Sequence, residues 1–283
     1  MGEPLAARIA AAAGRPQRLG ARLRERVAGS QLAPVTLGLA CVVLVWWALA
    51  ETLPPEILPG PFAVGNQGMR LLTEKYVSET LIGHIGISLW RVLMGFGLGA
   101  LVGTVIGFLI FASRRLRPGI EFVLALLLPL PPFTLIAVFI IWFGLGEAPK
   151  IALIFFGVFG RMAIYAAAAF RSLPDSLHDA ARALGAGPWQ ILLRVRIPAA
   201  LPDIFVGLRI LLALAWTSVM GAELIAAGEG IGWMIWTAAR NLQTEVIFVG
   251  VLAIALMGAV MDAILVGIAG LVTGGWASRI RGN

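Results

Sequence analysis

The sequence predicts an all-α, polytopic membrane protein with six transmembrane helices. Three observations carry that expectation. Of its 283 residues 59% are hydrophobic and only 13% are charged, with a mean hydropathy of +0.92. Soluble domains carry about 25% charged residues, and no core absorbs this much apolar surface, so the bilayer must solvate it. The apolar residues fall into runs of spanning length, and the arginines gather in alternate gaps between those runs. Backbone groups in lipid must be hydrogen-bonded internally, so each run is expected to be a helix.

The first run is 35–53, containing LACVVLVWWALA, and the second is 85–112. The third, fourth and fifth are 120–143, 151–170 and 204–227, and the sixth is 246–272. Each covers the roughly 20 residues that a spanning helix needs. Before the first run, residues 1–30 alternate arginine with Ala, Leu and Ile. That pattern suits either an amphipathic helix on an anionic inner leaflet or a basic tail. No signal-peptide pattern opens the chain. The gap from Pro54 to His84 begins with helix-breaking prolines, and a short helix is expected over 64–73. The remainder, 31–283, reads as one membrane domain.

Arginine placement fixes the expected orientation. Arg8, Arg15, Arg18, Arg22, Arg24 and Arg26 precede the first span. Arg114, Arg115 and Arg117 follow the second, Arg171, Arg182, Arg194 and Arg196 follow the fourth, and Arg279 and Arg281 follow the sixth. The opposite gaps hold only Arg70, Lys75, Lys150 and Arg240. Both termini and the gap after the fourth span are therefore expected on the cytoplasmic side. This distribution fits membrane topology and not nucleic-acid binding, despite a net charge of +7.

The gap after the fourth span is the most polar interruption, DAARALGAGPWQILLRVRIPAALP over 179–202. Physically it reads as two short helices. The first ends near Gly185 or Gly187, because glycine suits the left-handed position after a helix. Pro188 then opens the second, which Pro198 is expected to stop. Ala180, Ala181 and Ala183 give the first helix a low profile suited to close docking.

This segment resembles the EAA loop of ABC-importer permeases: E-A-A, three residues, G, nine residues, then I-x-L-P. Here Asp179-Ala180-Ala181 leads to Gly185, and nine residues later to Val195-Arg196-Ile197-Pro198. Asp179 replaces the family's usual Glu, keeping the charge on a shorter side chain. LPGPFAV (58–64), IWFGLGEAPKI (141–151) and WTSVMGAELIAAGEGIGWMI (216–235) are similar to the corresponding stretches of the sulfonate/nitrate/taurine permease group, with the last closest in form to taurine permeases.

The resemblance implies a type I ABC-importer transmembrane domain that translocates taurine, an alkanesulfonate or a related anion. Nitrate, bicarbonate, aromatic-acid and pyrimidine-precursor permeases share most of the frame, and a stand-alone secondary transporter is the rival reading, one that leaves the EAA-like segment unexplained. It implies that Asp179, Ala180, Ala181, Leu184, Gly185, Ala186, Pro188, Ile197 and Pro198 couple the chain to an ATPase. The implied partners are a second permease copy, two ATP-binding subunits that hold ATP and Mg, a periplasmic or lipid-anchored binding protein, and membrane lipid. The implied location is the bacterial inner membrane.

Further residues stand out inside the spans. Gly95, Gly99, Gly103 and Gly107 recur every four residues and predict close helix packing, with a flexible gating element as the alternative. Pro129, Pro131 and Pro132 must break or kink the third span, which lipid tolerates only against protein or a watery cavity. They are taken as candidate pathway residues, with Trp216, Thr217 and Ser218. Glu223 and Asp262 are intramembrane carboxylates, costly unless paired. Arg91, Arg161 and Arg209 are their candidate partners, and Glu223 is a candidate gate residue. No G-x-x-x-x-G-K-[ST] occurs, so nucleotide hydrolysis is expected on a separate chain. His84, His178 and Cys41 do not make a metal set, and no nucleophile–base pattern marks an enzyme.

Overall fold

The computed structural model describes residue 34 and residues 36–273. The basic segment 1–30, Arg279 and Arg281 lie outside these described residues. Two compact units divide at Ala63/Val64. In the first, α1 (Thr36–Thr52) is apolar but shorter than a full span. Trp46 Nε1 donates to Pro59 O at 3.1 Å, tying the helix to the proline-rich turn that follows it.

The division falls inside α2 (Pro61–Thr73), which opens on a proline, as a first helical position permits. It includes the short helix expected at 64–73. Beyond it lie α3 (Leu81–Ala112), α4 (Arg117–Leu127), a 3₁₀ turn (Pro132–Leu135) and α5 (Ile136–Phe143). Next come α6 (Ala148–Arg171), α7 (Asp175–Ala183), α8 (Pro188–Ile191), a π-helical turn (Leu192–Arg196) and α9 (Ile197–Ala226). α10 (Ile231–Arg240) and α11 (Thr244–Thr273) complete the described chain. Among the described residues all regular elements are helical, apart from an isolated bridge between Tyr76 and Glu79.

Four helices are long and apolar enough to cross a bilayer: Leu81–Ala112, Ala148–Arg171, Pro188–Ile225 and Thr244–Thr273. α4 and the Pro132–Phe143 segment, bent by 85° to one another, are apolar enough together to count as a fifth if the pair is one broken span and not a re-entrant loop. The bend sits where the proline pattern predicts it, because a proline cannot donate to the preceding turn.

The core lies between α3 and α6, and α9 packs against both. The glycine stripe is the reason α3 comes so close. A β-carbon added at Gly95 would lie 2.5 Å from Ile154 Cβ, and one at Gly107 would lie 2.6 Å from Ala163 O. One at Gly103 would collide with Phe159 O. Tight packing, the first of the two expected roles, is what these contacts support. The facing side of α6 answers with Ile154, Val158, Met162 and Ala166, all fully buried.

Candidate functional site

Three polar features interrupt the apolar bundle: a hook at one end, a proline break in the middle, and a buried ion cluster near the other end.

The hook is α7, α8 and the loop between them. Its first helix ends as the glycine signal predicts, and Gly185 rather than Gly187 is the turning point. Gly185 has φ +81°, while Gly187 is extended at φ −72°. Gly185 N–H donates to Arg182 O at 2.9 Å and Ala186 N–H to Ala181 O at 3.0 Å. That bond pair is a Schellman motif, which satisfies carbonyls left open at a helix end. Pro188 opens α8, and Gln190 Oε1 accepts from Gly187 N–H at 3.0 Å.

The expectation that Pro198 stops the second helix is overturned. α8 runs through the π-helical turn into α9, and Pro198 lies in the first turn of α9. Ile197 N–H bonds back to Leu192 O, five residues away. The wider turn accommodates what a proline ring disrupts in a regular helix. Asp179, Ala180, Ala181 and Ala186 thus sit on the hook, whereas Ile197 and Pro198 belong to the root of a spanning helix. No residue of α7 is buried, and Leu184 and Trp189 are 89% and 74% exposed.

At the proline break, Pro132 is buried while Pro129 and Pro131 are exposed. Leu128 O would normally accept from the N–H four residues on, but that residue is Pro132. Arg161 Nη2 on α6 donates to this carbonyl at 3.1 Å, and Arg161 Nη1 donates to Gly157 O at 3.2 Å. Gly157 lets the break settle onto α6, since an added β-carbon there would meet Ser218 Oγ at 2.9 Å and Pro132 Cγ at 3.3 Å. Trp216 and Ser218 are buried against neighbouring helices, and Ser218 Oγ donates to Leu214 O. Thr217 is exposed on α9.

The ion cluster centres on Arg91 of α3, which is 2% exposed. Its Nη1 donates to Glu223 Oε1 of α9 at 2.8 Å and to Glu229 O at 2.8 Å. Its Nε and Nη2 hold the Glu147 carboxylate at 2.6 and 2.8 Å, and Lys150 Nζ reaches the same carboxylate at 2.7 Å. Glu223, fully buried, also accepts from Ser88 Oγ and from Gly232 N–H in the first turn of α10. The positive end of that helix favours a carboxylate there. Gly230 has φ +112°, and an added β-carbon would lie 2.5 Å from Glu223 Cδ, so both backbone and space require glycine. His84 Nδ1 accepts from Gly230 N–H at 3.0 Å, which leaves Nε2–H to donate to Tyr76 O at 3.1 Å. The Arg91 guanidinium, despite partial burial, and then Lys150 hold the Glu147 carboxyl down to about 2.

Glu223 was singled out from the sequence, but Glu147, Ser88 and His84 were not. The available signals were an arginine in an apolar helix and an acid three residues before Lys150. Asp262 pairs with Arg209 at 2.6 Å, so both intramembrane acids have arginine partners. Among the described residues no three His, Cys, Asp or Glu side chains converge as metal ligands would.

The sequence profile of the family described as binding-protein-dependent transport system inner membrane component matches residues 95–275, from the glycine stripe through the break, the hook and α11. The chain belongs to that family. This permease is 34% identical over 248 residues to the taurine transport system permease protein TauC of Escherichia coli, covering 85% of this chain and 89% of that one. It is 28% identical over 249 residues to the nitrate import permease protein NrtB of Synechococcus elongatus, again covering 85% and 89%. Its fold is similar to a chain of the MetNI methionine ABC transporter solved in inward-facing conformations, with a TM-score of 0.54 and 20% identity over 65% of this permease and 95% of that chain. The permease thus has the fold of an ABC-importer transmembrane subunit.

Proposed function

We propose that two copies of the chain form the membrane domain of an ATP-driven importer of a small anion, a sulfonate such as taurine or a related oxyanion. Each copy crosses the inner membrane six times, counting α1 and the broken span, with both termini cytoplasmic. The hook, through Asp179, Ala180, Ala181, Leu184, Gly185, Ala186 and Pro188, docks into one of two ATPase chains that bind ATP and Mg. A periplasmic or lipid-anchored binding protein delivers the solute to the other face. The spans around Pro129, Pro131, Pro132 and Thr217 line the pathway.

The observation that carries this reading is the hook's unburied apolar surface. Leu184, Trp189 and Leu193 are 89%, 74% and 58% exposed at a polar end of the bundle. Large apolar side chains held out on a locked turn suit insertion into a partner's groove. The continuity of α8 with α9 supports mechanical coupling: a shift of the hook is passed directly to the root of a spanning helix. At the other face, the Arg91 cluster ties α3, α9, α10 and the start of α6 together, so those elements are expected to move as one block.

The test is uptake of labelled taurine into proteoliposomes holding the permease, its ATPase and its binding protein. Uptake that needs ATP and all three components is expected. Uptake by the permease alone, driven by an ion gradient, would overturn the reading.

A further inference from the structure

Arg161 faces a groove of about 570 Å³ bordered by Tyr165, Ile210, Leu211 and Leu214. It lies deep in its span, about 20 Å along α6 from Ala148 and about 15 Å from Arg171 at 1.5 Å per residue. Its partners among the described residues are two backbone carbonyls, Leu128 O and Gly157 O. The other span arginines differ: Arg91 pairs with Glu147 and Glu223, and Arg209 with Asp262. Among the described residues no carboxylate forms an ion pair with Arg161. A mid-membrane cation without a counter-charge is costly and marks a pathway by preference.

The groove also opens on a face unsuited to lipid. Ile210 borders it and also borders the recess that holds Arg209 and Asp262. That ion pair is 48% and 39% exposed. Along α9, Val206, Arg209, Ile210, Ala213 and Thr217 form one exposed stripe at helical spacing. A stripe bearing an exposed ion pair at this depth needs protein or water over it, not acyl chains.

We propose that Arg161 reads the acid group of the transported solute: its guanidinium supplies the counter-charge and hydrogen-bond donors for a sulfonate or nitrate passing the proline break. The planar fork of arginine suits an oxyanion, and the cationic charge rejects neutral solutes and cations. The depth excludes a lipid headgroup as the anion. The inference rests on the anion-importer reading above and assigns its selectivity to a residue.

The experiment uses the complete transporter in proteoliposomes with labelled taurine, ethanesulfonate and nitrate as probes. Arg161→Gln keeps an amide donor for Leu128 O and removes the charge; Arg161→Lys keeps the charge. Ile210→Glu places a carboxylate across the groove without touching the carbonyl contacts. About tenfold or greater loss of uptake is expected for R161Q and I210E, and a smaller loss for R161K, which keeps the charge but not the planar fork, with undiminished yield of the assembled complex. Wild-type-like uptake in R161Q or in I210E overturns the proposal. So does loss of the assembled complex in R161Q, which would assign the arginine to capping or to a carboxylate of the second copy. If the wild type moves none of the three anions, the anion-importer reading itself fails and this inference falls with it.

Discussion

Arg91 and Glu223 meet at 2.8 Å between α3 and α9, with both side chains withdrawn from solvent. Removing one partner of a buried pair leaves the other charge stranded, at a cost of about 3–5 kcal/mol. Glu223→Leu and Arg91→Met are each therefore expected to lower thermal stability in detergent sharply. Arg91→Met combined with Glu223→Leu should lose less than the sum of the single changes, because neither charge is then left unpaired. Thermal unfolding of the four proteins in one double-mutant cycle checks this.

The Glu147 carboxyl gives the cluster a pH signature. Its value in the folded chain, about 2, lies below the ordinary 4.5. A depressed carboxyl contributes stability that is full above its unfolded value and is lost as pH falls through its folded value. The stability gap between wild type and Glu147→Gln should thus be constant from neutral pH to about 4.5 and shrink as pH falls from there toward about 2. Thermal unfolding of both proteins across that range reads it. A gap that widens on acidification would reverse the sign.

The glycine stripe separates two kinds of substitution. Gly103→Val forces α3 away from Phe159 and Met162, and an overpacked core costs about 1–3 kcal/mol. Gly97→Ala, on the same helix with nothing within 4 Å of the added carbon, should change stability by less than about 0.5 kcal/mol. Folded yield and unfolding temperature of the two variants make the comparison.

At the hook the obstacle is handedness, not space. A β-carbon at Gly185 meets nothing within 4 Å, yet φ is +81°. Gly185→Ala should loosen the turn by about 1–2 kcal/mol and weaken ATPase binding with unchanged membrane insertion. Gly187→Ala, in extended backbone, should bind the ATPase as wild type does. Co-purification of the ATPase with each variant measures the difference. Bulk at the same site is a harsher probe: Gly185→Trp with normal complex yield and ATP-driven uptake would count against docking.

The Arg209–Asp262 pair bridges α9 and α11 through two bonds of 2.6 and 2.7 Å on an exposed face. Asp262→Asn should leave Arg209 without its counter-charge and reduce recovery of the folded permease several-fold. The exchange of charges, Arg209→Asp with Asp262→Arg, should restore most of it. Size-exclusion profiles of the wild type and the two variants test the pair.

Much of the organisation was legible in the chain. The positions of the four long apolar helices and of the broken pair followed from hydropathy, because lipid leaves a helix no alternative partner for its backbone. The turn at the hook followed from glycine and proline chemistry, although two glycines stood as candidates until their backbone angles separated them. Pro198 misled for a local reason: proline was read as a stop, and the π-helical turn that admits its ring depends on bonds five residues apart that no pattern announced. Glu223 was recognisable as a costly acid, yet depth along a helix does not say which arginine faces it.

The sequence alone determined the all-helical membrane architecture, the glycine-lined contact, the proline break and the glycine turn of the hook, because each follows from local chemistry. The tertiary structure decided which charges are neutralised. Arg91 and Arg209 have carboxylate partners and Arg161 has carbonyls, and that division depends on how helices distant in sequence rotate against one another when they pack.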